Sequence, residues 1–398
     1  IMTFPNETLP KGRKQKTTSL YDRFVRNGAV MGDTFGLENV LWFANNIDDA
    51  HEEPTFKRSR SHEYVSKEVK NVRENVGIIE LANFSKHQFI GNEARNFLNK
   101  ILSGFIPNLG RISLNPMNTP KGKLYGDLTV GCLGDDNFYI FGSGAAQEMH
   151  RRWFERYIKK YKVDYINKSD DLHGFAITGP KSRIVMQKLV KENISNDNFR
   201  FRDIKKMFVG GVPAIVNRLS FTGELGYEIY VSPHYHLKLY EEIMNAGENE
   251  NIKNFGSRAL MSMRMEKNWG AWALDFRHDF TAKETGLDKF INWDKDFVGK
   301  EKLLNLESPN KLVCVVIDSD IIDVTGDEAV IKNNDECIGY ITSGGYAHYI
   351  KKSMAFAYIN KENLSKNDSL KVEINGNFYN ASIQNEPLYD KDGLKMRS

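Results

Sequence analysis

The segment Arg218–Ser232, RLSFTGELGYEIYVS, places two glycines and two glutamates in a run that otherwise favours a β-strand. Glycine weakens the interior of a strand, so Gly223 and Gly226 indicate either a tight turn or a backbone that a ligand approaches closely. Glu224 and Glu228 are the acids of this segment. A carboxylate offers two acceptor oxygens, which suits it to a ligand rich in N–H groups.

A second acid lies in an apolar strand within NPMNTPKGKLYGDLTV, where Asp127 falls between Leu124 and Val130. Aspartate is depleted in strands, and a buried carboxylate is costly unless it is paired. Asp127 is therefore either an edge-strand residue in water or an acid that faces a ligand cavity. The adjacent Gly126 indicates a closely approached backbone and favours the cavity.

The stretch MSMRMEKNWGAW predicts a helix with Met261, Met265 and Trp269 on one face, at i, i+4 and i+8. Core packing explains the methionines. Arg264 and Glu266 flank that face, and we expect them to hold the helix end to a neighbouring element.

Composition excludes several function classes. The 398 residues carry 55 basic and 52 acidic side chains and a net charge of +3, too balanced for a nucleic-acid-binding protein. No apolar run reaches the roughly 18 residues of a membrane span, and no secretory signal is seen, so we expect a cytoplasmic protein without membrane contact. The three cysteines form no CxxC pair, and no metal-binding motif occurs, so no metal is predicted.

The periodicity predicts an α+β protein of several domains. Two segments, FIGNEARNFLNKIL and AITGPKSRIVMQKLV, share a strand–glycine–helix pattern and suggest two related units. After residue 305 the sequence changes to short strands and turns, which is typical of a small barrel. We expect an irregular segment over residues 1–60, two related α+β units over 61–305, and a β-barrel over 306–398.

Five motifs together resemble the folate-binding aminomethyltransferase family, which includes the glycine-cleavage T-protein. They are TGELGYEIYV, MRMEKNWGAW, DFVGKEKL, ITSGGYAHYIKKSMAFAY and NEPLYDKDG. SLYDRFVRNGAVMGDTFGLENVLWFA is similar to the branch that forms the C-terminal, tetrahydrofolate-binding half of dimethylglycine and sarcosine dehydrogenases. The resemblance covers nearly the whole chain in order. It implies a three-domain cloverleaf around a central folate cavity, with tetrahydrofolate as the cofactor.

The resemblance also implies roles for particular residues. Asp127 matches a catalytic acid that faces folate N5 and N10, and Glu228 matches the glutamate that grips the pterin. The remaining residues expected to bind or line the cofactor site are Gly223, Gly226, Tyr227, Trp269 and Tyr346. In T-protein an arginine lies two turns before the glutamate that corresponds to Glu266. Leu260 stands at that position here, so this residue cannot recognise the tail of the folate.

Three functions stay open at this point. The first is transfer of a one-carbon unit from a small methylated amine, such as dimethylglycine or sarcosine, to tetrahydrofolate. FGSGAAQ lacks the third glycine of a dinucleotide loop, so this function needs a partner flavoprotein or a missing FAD-binding half. The second is a stand-alone demethylase of a sulfonium or quaternary ammonium osmolyte, held over aromatic rings, that yields 5-methyl-tetrahydrofolate. The third, least favoured, is a non-catalytic folate-binding or assembly protein.

Overall fold

The computed structural model describes residues 11–332, 336–364 and 370–398. Helix α1 (Tyr21–Arg26) is followed by a hairpin of β1 (Ala29–Thr34) and β2 (Leu37–Phe43). Tyr21–Arg26 was expected as a short helical piece and is confirmed, whereas the expectation of an irregular segment over residues 1–60 is wrong for the hairpin at 29–43. The reason is the alternation in β2, which buries Val40 and Trp42 against the protein core.

The middle of the chain forms two sheets and the helices that cover them. The elements are α2 (Ser61–Glu74), β3 (Val76–Glu80), β4 (Phe84–Ile90), α3 (Ala94–Ile101), β5 (Ile112–Asn118), β6 (Leu124–Gly134), β7 (Asn137–Ser143), α4 (Gln147–Ile158), β8 (Asp164–Asn167), β9 (His173–Thr178), α5 (Ser182–Leu189), β10 (Ile204–Val209), β11 (Val212–Asn217), β12 (Gly226–Val231), α6 (His236–Gly247), β13 (Ile252–Asn254), α7 (Ser257–Glu266), α8 (Ala282–Thr285) and α9 (Lys300–Asn305).

The strand orders show how the two sheets are built. One sheet has five strands in the order β5-β6-β7-β4-β8, all antiparallel. The other has six in the order β10-β11-β12-β9-β3-β13, antiparallel except that β13 runs parallel to β3. Each sheet packs its own buried apolar cluster against its helices.

The two strand–glycine–helix segments lie in different sheets, as β4–α3 and β9–α5. Gly91 and Gly179 connect strand to helix with φ values of 140° and 130°. A Cβ at Gly91 would lie 2.4 Å from Lys162 O, and one at Gly179 would lie 2.5 Å from Asn75 O. Both turns therefore need glycine for the same two reasons, a positive φ and a backbone neighbour.

The C-terminal part of the chain closes into a six-stranded barrel in the order β14-β17-β16-β15-β18-β19, with β19 returning to β14. Its elements are β14 (Asn310–Ile317), β15 (Ala329–Lys332), β16 (Cys337–Ala347), β17 (Lys352–Asn360), β18 (Leu370–Ile374), β19 (Asn377–Gln384) and the final helix α10 (Leu394–Arg397). The predicted α+β fold with a C-terminal barrel is thus confirmed.

The segment after the barrel packs back on the two-sheet part of the molecule. Tyr389 Oη donates to Glu224, and the Tyr389 N–H donates to Glu266 O at 3.1 Å. Lys267 Nζ in turn donates to Tyr389 O at 3.2 Å. None of the helices within residues 11–332, 336–364 and 370–398 is long and apolar enough to cross a membrane.

Candidate active site

A cavity of about 340 Å³ lies between the two sheets, bounded also by the start of α7 and the loop that follows it. We call it the central cavity. Its volume falls in the range of small-molecule sites. Among the described residues that line it, Asp127 and Glu228 are the only charged side chains, and no lysine, arginine or histidine contributes. Its other side chains with polar or aromatic groups include Thr129, Phe141, Ser143, Thr178, Tyr230, Trp269 and Trp272.

Asp127 lies on β6, and strand alternation places it and Thr129 on the face that lines the central cavity. In the described part of the chain no other residue donates a hydrogen bond to its carboxylate. Burial without a cationic partner raises the pKa of Asp127 to about 7. A carboxyl group with this pKa can take up or release a proton near neutral pH.

The glycine next to Asp127 has a different role from the one expected. A Cβ at Gly126 would lie 3.0 Å from His150 Nε2 and 3.4 Å from Met117 Cε. Gly126 therefore faces the apolar interior, where its close neighbour is the ring of His150 and not a ligand. The ring of His150 is fixed there by a contact of 2.9 Å between its Nε2 and Tyr125 O.

Glu228 faces the central cavity from β12, across from the other sheet. Asn217 Nδ2 and Tyr230 Oη both donate to its Oε2, at 3.3 and 3.0 Å. No described residue donates to Oε1, so one oxygen is left for a ligand. Burial raises the pKa of Glu228, and the two hydrogen bonds and the charge of Lys86 counteract that rise.

Three residues beside Glu228 were missed from the sequence. Tyr230 lies two positions along the same strand, so strand alternation alone places it on the same face. Asn217 is fully buried, and its Oδ1 has no partner among the described residues. Lys86 is buried beneath Tyr230, 6.0 Å from the ring, with its Nζ donating to Leu81 O and Ala82 O. The sequence of β4, FSKHQFI, gave no signal for Lys86, because four consecutive polar residues do not indicate a buried strand.

The structure decides between the two explanations of the glycines. A Cβ at Gly226 would lie 2.8 Å from Leu219 O, and one at Gly223, whose φ is +86°, would lie 2.3 Å from the side chain of Lys267. Gly223 lies in the turn that precedes β12, and Gly226 is the first residue of that strand. Gly226 lies on the wall of the central cavity and Gly223 does not, so the expectation that Gly223 contacts the ligand is wrong.

The expected aromatic lining is only partly present. Trp269 lies on the cavity wall, where Arg264 holds its carbonyl at 3.0 Å. The ring of Tyr227 packs in the core on the opposite face of β12, stacked on Phe199 at 6.0 Å, because alternate strand residues point to opposite faces. Tyr346 lines a different cavity, described below. Tyr227 therefore contributes to the cavity wall, but its ring does not face the cavity, and the prediction that Tyr346 lines this cavity is wrong.

Arg264 and Glu266 do hold the end of α7, as expected from their positions. Arg264 also pairs with the buried Asp275 at 2.6 Å, which fixes the loop carrying Trp269. Glu266 pairs with Arg73 at 2.6 Å. Within the described ranges, no group of three or more histidine, cysteine, aspartate or glutamate side chains is placed to hold a metal ion.

Comparison with known proteins identifies the family. Residues 20–295 match the GCVT N-terminal domain, and residues 310–390 match the glycine cleavage T-protein C-terminal barrel domain. The chain belongs to this family. The family prediction made from the sequence motifs is confirmed, and with it an enzyme of the aminomethyltransferase type.

Individual relatives agree with this assignment. The chain is 35% identical to human mitochondrial dimethylglycine dehydrogenase over an aligned length of 397 residues, and the match covers 98% of this chain and 46% of that protein. It thus spans about half the length of that relative. It is 27% identical to an aminomethyltransferase of Thermotoga sp. (strain RQ2), covering 94% of this chain and 98% of that one. Aminomethyltransferase T from Bartonella henselae has the same fold, with a TM-score of 0.82 at 18% identity over 95% of this chain and 99% of that one.

Proposed function

We propose that the chain transfers a one-carbon unit from a small methylated amine, such as dimethylglycine or sarcosine, to tetrahydrofolate bound in the central cavity. The observation that carries this proposal is the pair Asp127 and Glu228, which face one cavity from different sheets in a chain of this family. The similarity to dimethylglycine dehydrogenase supports the substrate class.

The residues around Glu228 fit the pterin end of the cofactor. A pterin presents an amino group and ring N–H groups, all of them donors. Glu228 Oε1 and the buried Asn217 Oδ1 are acceptors without a partner in the described part of the chain. Leaving such acceptors unpaired is costly, so a ligand that donates to both is favoured.

Asp127 fits the transfer step. When an iminium carbon passes from the amine to the two folate nitrogens, both nitrogens lose a proton, the released amine regains one, and one proton is left over. Asp127, with its pKa near 7, can accept that proton, and its carboxylate stabilises the positive charge before transfer. Tetrahydrofolate supplies the nucleophilic nitrogens, while this chain orients them and takes the proton.

The amine must first be oxidised by two electrons to form the iminium. We propose that this oxidation is supplied by a flavoprotein partner, or by an FAD-binding half that corresponds to the part of the dehydrogenases outside the match to this chain. An already activated sulfonium or quaternary ammonium donor would need no oxidation. That alternative places the donor among the rings of Trp269, Trp272, Tyr227 and Tyr346. The rings of Tyr227 and Tyr346 lie elsewhere.

The test is a single-turnover experiment with methyl-¹³C dimethylglycine and tetrahydrofolate, with and without a flavoprotein that oxidises dimethylglycine. We expect ¹³C in 5,10-methylene-tetrahydrofolate only when the flavoprotein is present, and faster than in a control without the chain. Formation of 5-methyl-tetrahydrofolate from a sulfonium donor, without flavoprotein, would favour the stand-alone demethylase. No acceleration in either arm would overturn the proposal.

A further inference from the structure

A second cavity, of about 770 Å³, lies where the start of α2, helix α7 and the barrel meet. We call it the junction cavity. The residues that line it include Lys57, Arg58, His62, Arg258, Tyr346 and His348. Ser257 and Met261 of α7 line both this cavity and the central cavity, so the two adjoin across the first turns of that helix.

The two cavities differ in the charged side chains that line them. The central cavity presents two acids and, among its described lining residues, no cation. The junction cavity presents Lys57, Arg58 and Arg258, together with Asp323 and Asp327.

Both arginines are paired with a carboxylate, but they differ in the N–H groups that remain. Arg58 forms a forked pair with Asp323, at 2.8 and 3.1 Å, and also binds backbone carbonyls. Arg258 forms a forked pair with Glu52, at 2.8 and 3.1 Å, and donates to Ser61 Oγ at 2.7 Å. Its Nε donates to no described residue. A guanidinium has five N–H groups, so Arg258 can bind a further acceptor without giving up these contacts.

His348 provides an independent indication of a ligand. Its side chain is 9% exposed, and its backbone N–H donates to Ser262 Oγ at 3.0 Å. Its ring lies 4.7 Å from that of His62 and 5.1 Å from that of Tyr346. Its Nδ1 is buried without a partner in the part of the chain that the structure describes. Buried polar atoms normally have partners, so a polar ligand group is expected at this nitrogen.

We propose that the junction cavity binds a carboxylate, and that this carboxylate belongs to the glutamyl tail of the folate whose pterin lies against Glu228. The inference rests on the proposed function. Tetrahydrofolate carries two carboxylates at the end opposite its pterin, and the acids of the central cavity would repel them. The adjoining cavity offers Arg258, Lys57 and the free nitrogen of His348. A second source of the same chemistry is the carboxylate of an amino-acid donor such as dimethylglycine.

The test compares two ligands by calorimetry: tetrahydrofolate, and the neutral amide that lacks its glutamyl group. We expect the parent protein to prefer tetrahydrofolate by about tenfold or more, as a charge-assisted contact allows. Arg258→Gln and His348→Phe should reduce that preference to about threefold or less, while the affinity for the amide stays unchanged. Lys57→Gln, at an exposed position that cannot disturb the core, should also reduce the preference for tetrahydrofolate over the amide. Lys206→Gln, exposed on β10, is the matched control and should leave it intact.

The outcomes separate the claims. If the parent protein binds tetrahydrofolate and its amide equally, or if the variants weaken both ligands equally, the carboxylate site is refuted while the proposed function stands. If the parent protein binds neither ligand, the proposed function falls together with the inference. Titration with dimethylglycine distinguishes the sources: a loss of its binding in Arg258→Gln, with the preference for tetrahydrofolate intact, would assign the site to the donor.

Discussion

Glu224 and Glu228 lie four residues apart on one stretch of chain, and the protein surrounds them in opposite ways. Glu224 is 1% exposed and pairs with Arg73 at 2.9 Å, while Tyr389 Oη donates to the same oxygen. Arg73 also pairs with Glu266 and lies 3.8 Å from the ring of Tyr389. Glu228 receives hydrogen bonds only from an amide and a phenol among the described residues.

The contrast separates a structural acid from a binding acid. A carboxylate that is already paired with a buried arginine has little capacity for a ligand, and removing its partner leaves an uncompensated charge. A carboxylate held by neutral donors, with one oxygen turned to a cavity, keeps its capacity. The network of Glu224 thus joins α2, α7 and the C-terminal segment, and Glu228 is left for the ligand.

The largest expected effect is on the structural side of this comparison. Arg73→Leu leaves Glu224 and Glu266 buried without their cation, and we expect it to lower the free energy of unfolding by about 3–5 kcal/mol. Chemical denaturation of the variant and the parent protein measures this loss of free energy of unfolding. Arg151→Leu is the matched control, because Arg151 also bridges two glutamates, at 2.8 and 2.7 Å, but on the surface of α4. That variant should lose no more than about 1 kcal/mol. Equal losses would contradict the distinction.

The next effect concerns catalysis at Asp127. Asp127→Asn keeps the shape of the side chain and removes its charge, so we expect single-turnover transfer to tetrahydrofolate to slow by roughly a hundredfold or more. Affinity for tetrahydrofolate should change little. A variant with an unchanged rate and a lowered melting temperature would show that Asp127 is a structural residue of β6.

Glu228→Ala tests the binding side directly. Losing a charge-assisted contact to the pterin should weaken tetrahydrofolate about ten- to hundredfold, as measured by calorimetric titration. Tyr230→Phe, which removes one donor to Glu228 and keeps the ring, should have a smaller effect. Equal affinity of Glu228→Ala and the parent protein would remove Glu228 from the site.

The sequence predicts most of the fold because its signals are local. Glycine after a strand and before an apolar helix marks both β4–α3 and β9–α5, and short alternating strands mark the barrel. The hairpin β1–β2 was missed because its burial depends on partners far along the chain, such as Gly256, whose neighbours include Leu41. The alternation in β2 is a local pattern, but whether the strand is buried depends on such long-range contacts.

The site was predicted unevenly for a related reason. An acid in an apolar strand is a strong signal because it is costly to bury, and both Asp127 and Glu228 line the central cavity. Aromatic residues pack equally well in a core or around a ligand, so Tyr227 and Tyr346 could not be assigned from type alone. Strand alternation from Glu228 would have placed the ring of Tyr227 on the core face of β12 and the ring of Tyr230 on the cavity face.

The smallest expected effect is the pH dependence that Asp127 gives to stability. Its pKa is raised from 3.8 to about 7, so between these values the folded protein holds a proton that the unfolded chain has lost. The free energy of unfolding of the parent protein should therefore fall relative to that of Asp127→Asn as the pH rises from about 4 to 7, and the difference should level off above 7.

We expect that difference to reach about 1–2 kcal/mol, less than the full shift implies because water in the cavity screens the charge. Glu68 and Glu80 also have raised pKa values, and both proteins contain them, so their contributions cancel in the difference. Denaturation curves of the two proteins at pH 5, 6, 7 and 8 provide the measurement. A difference that moves the other way, with the parent protein gaining stability as the pH rises, would mean that Asp127 has a cationic partner and that the central cavity holds only one free acid.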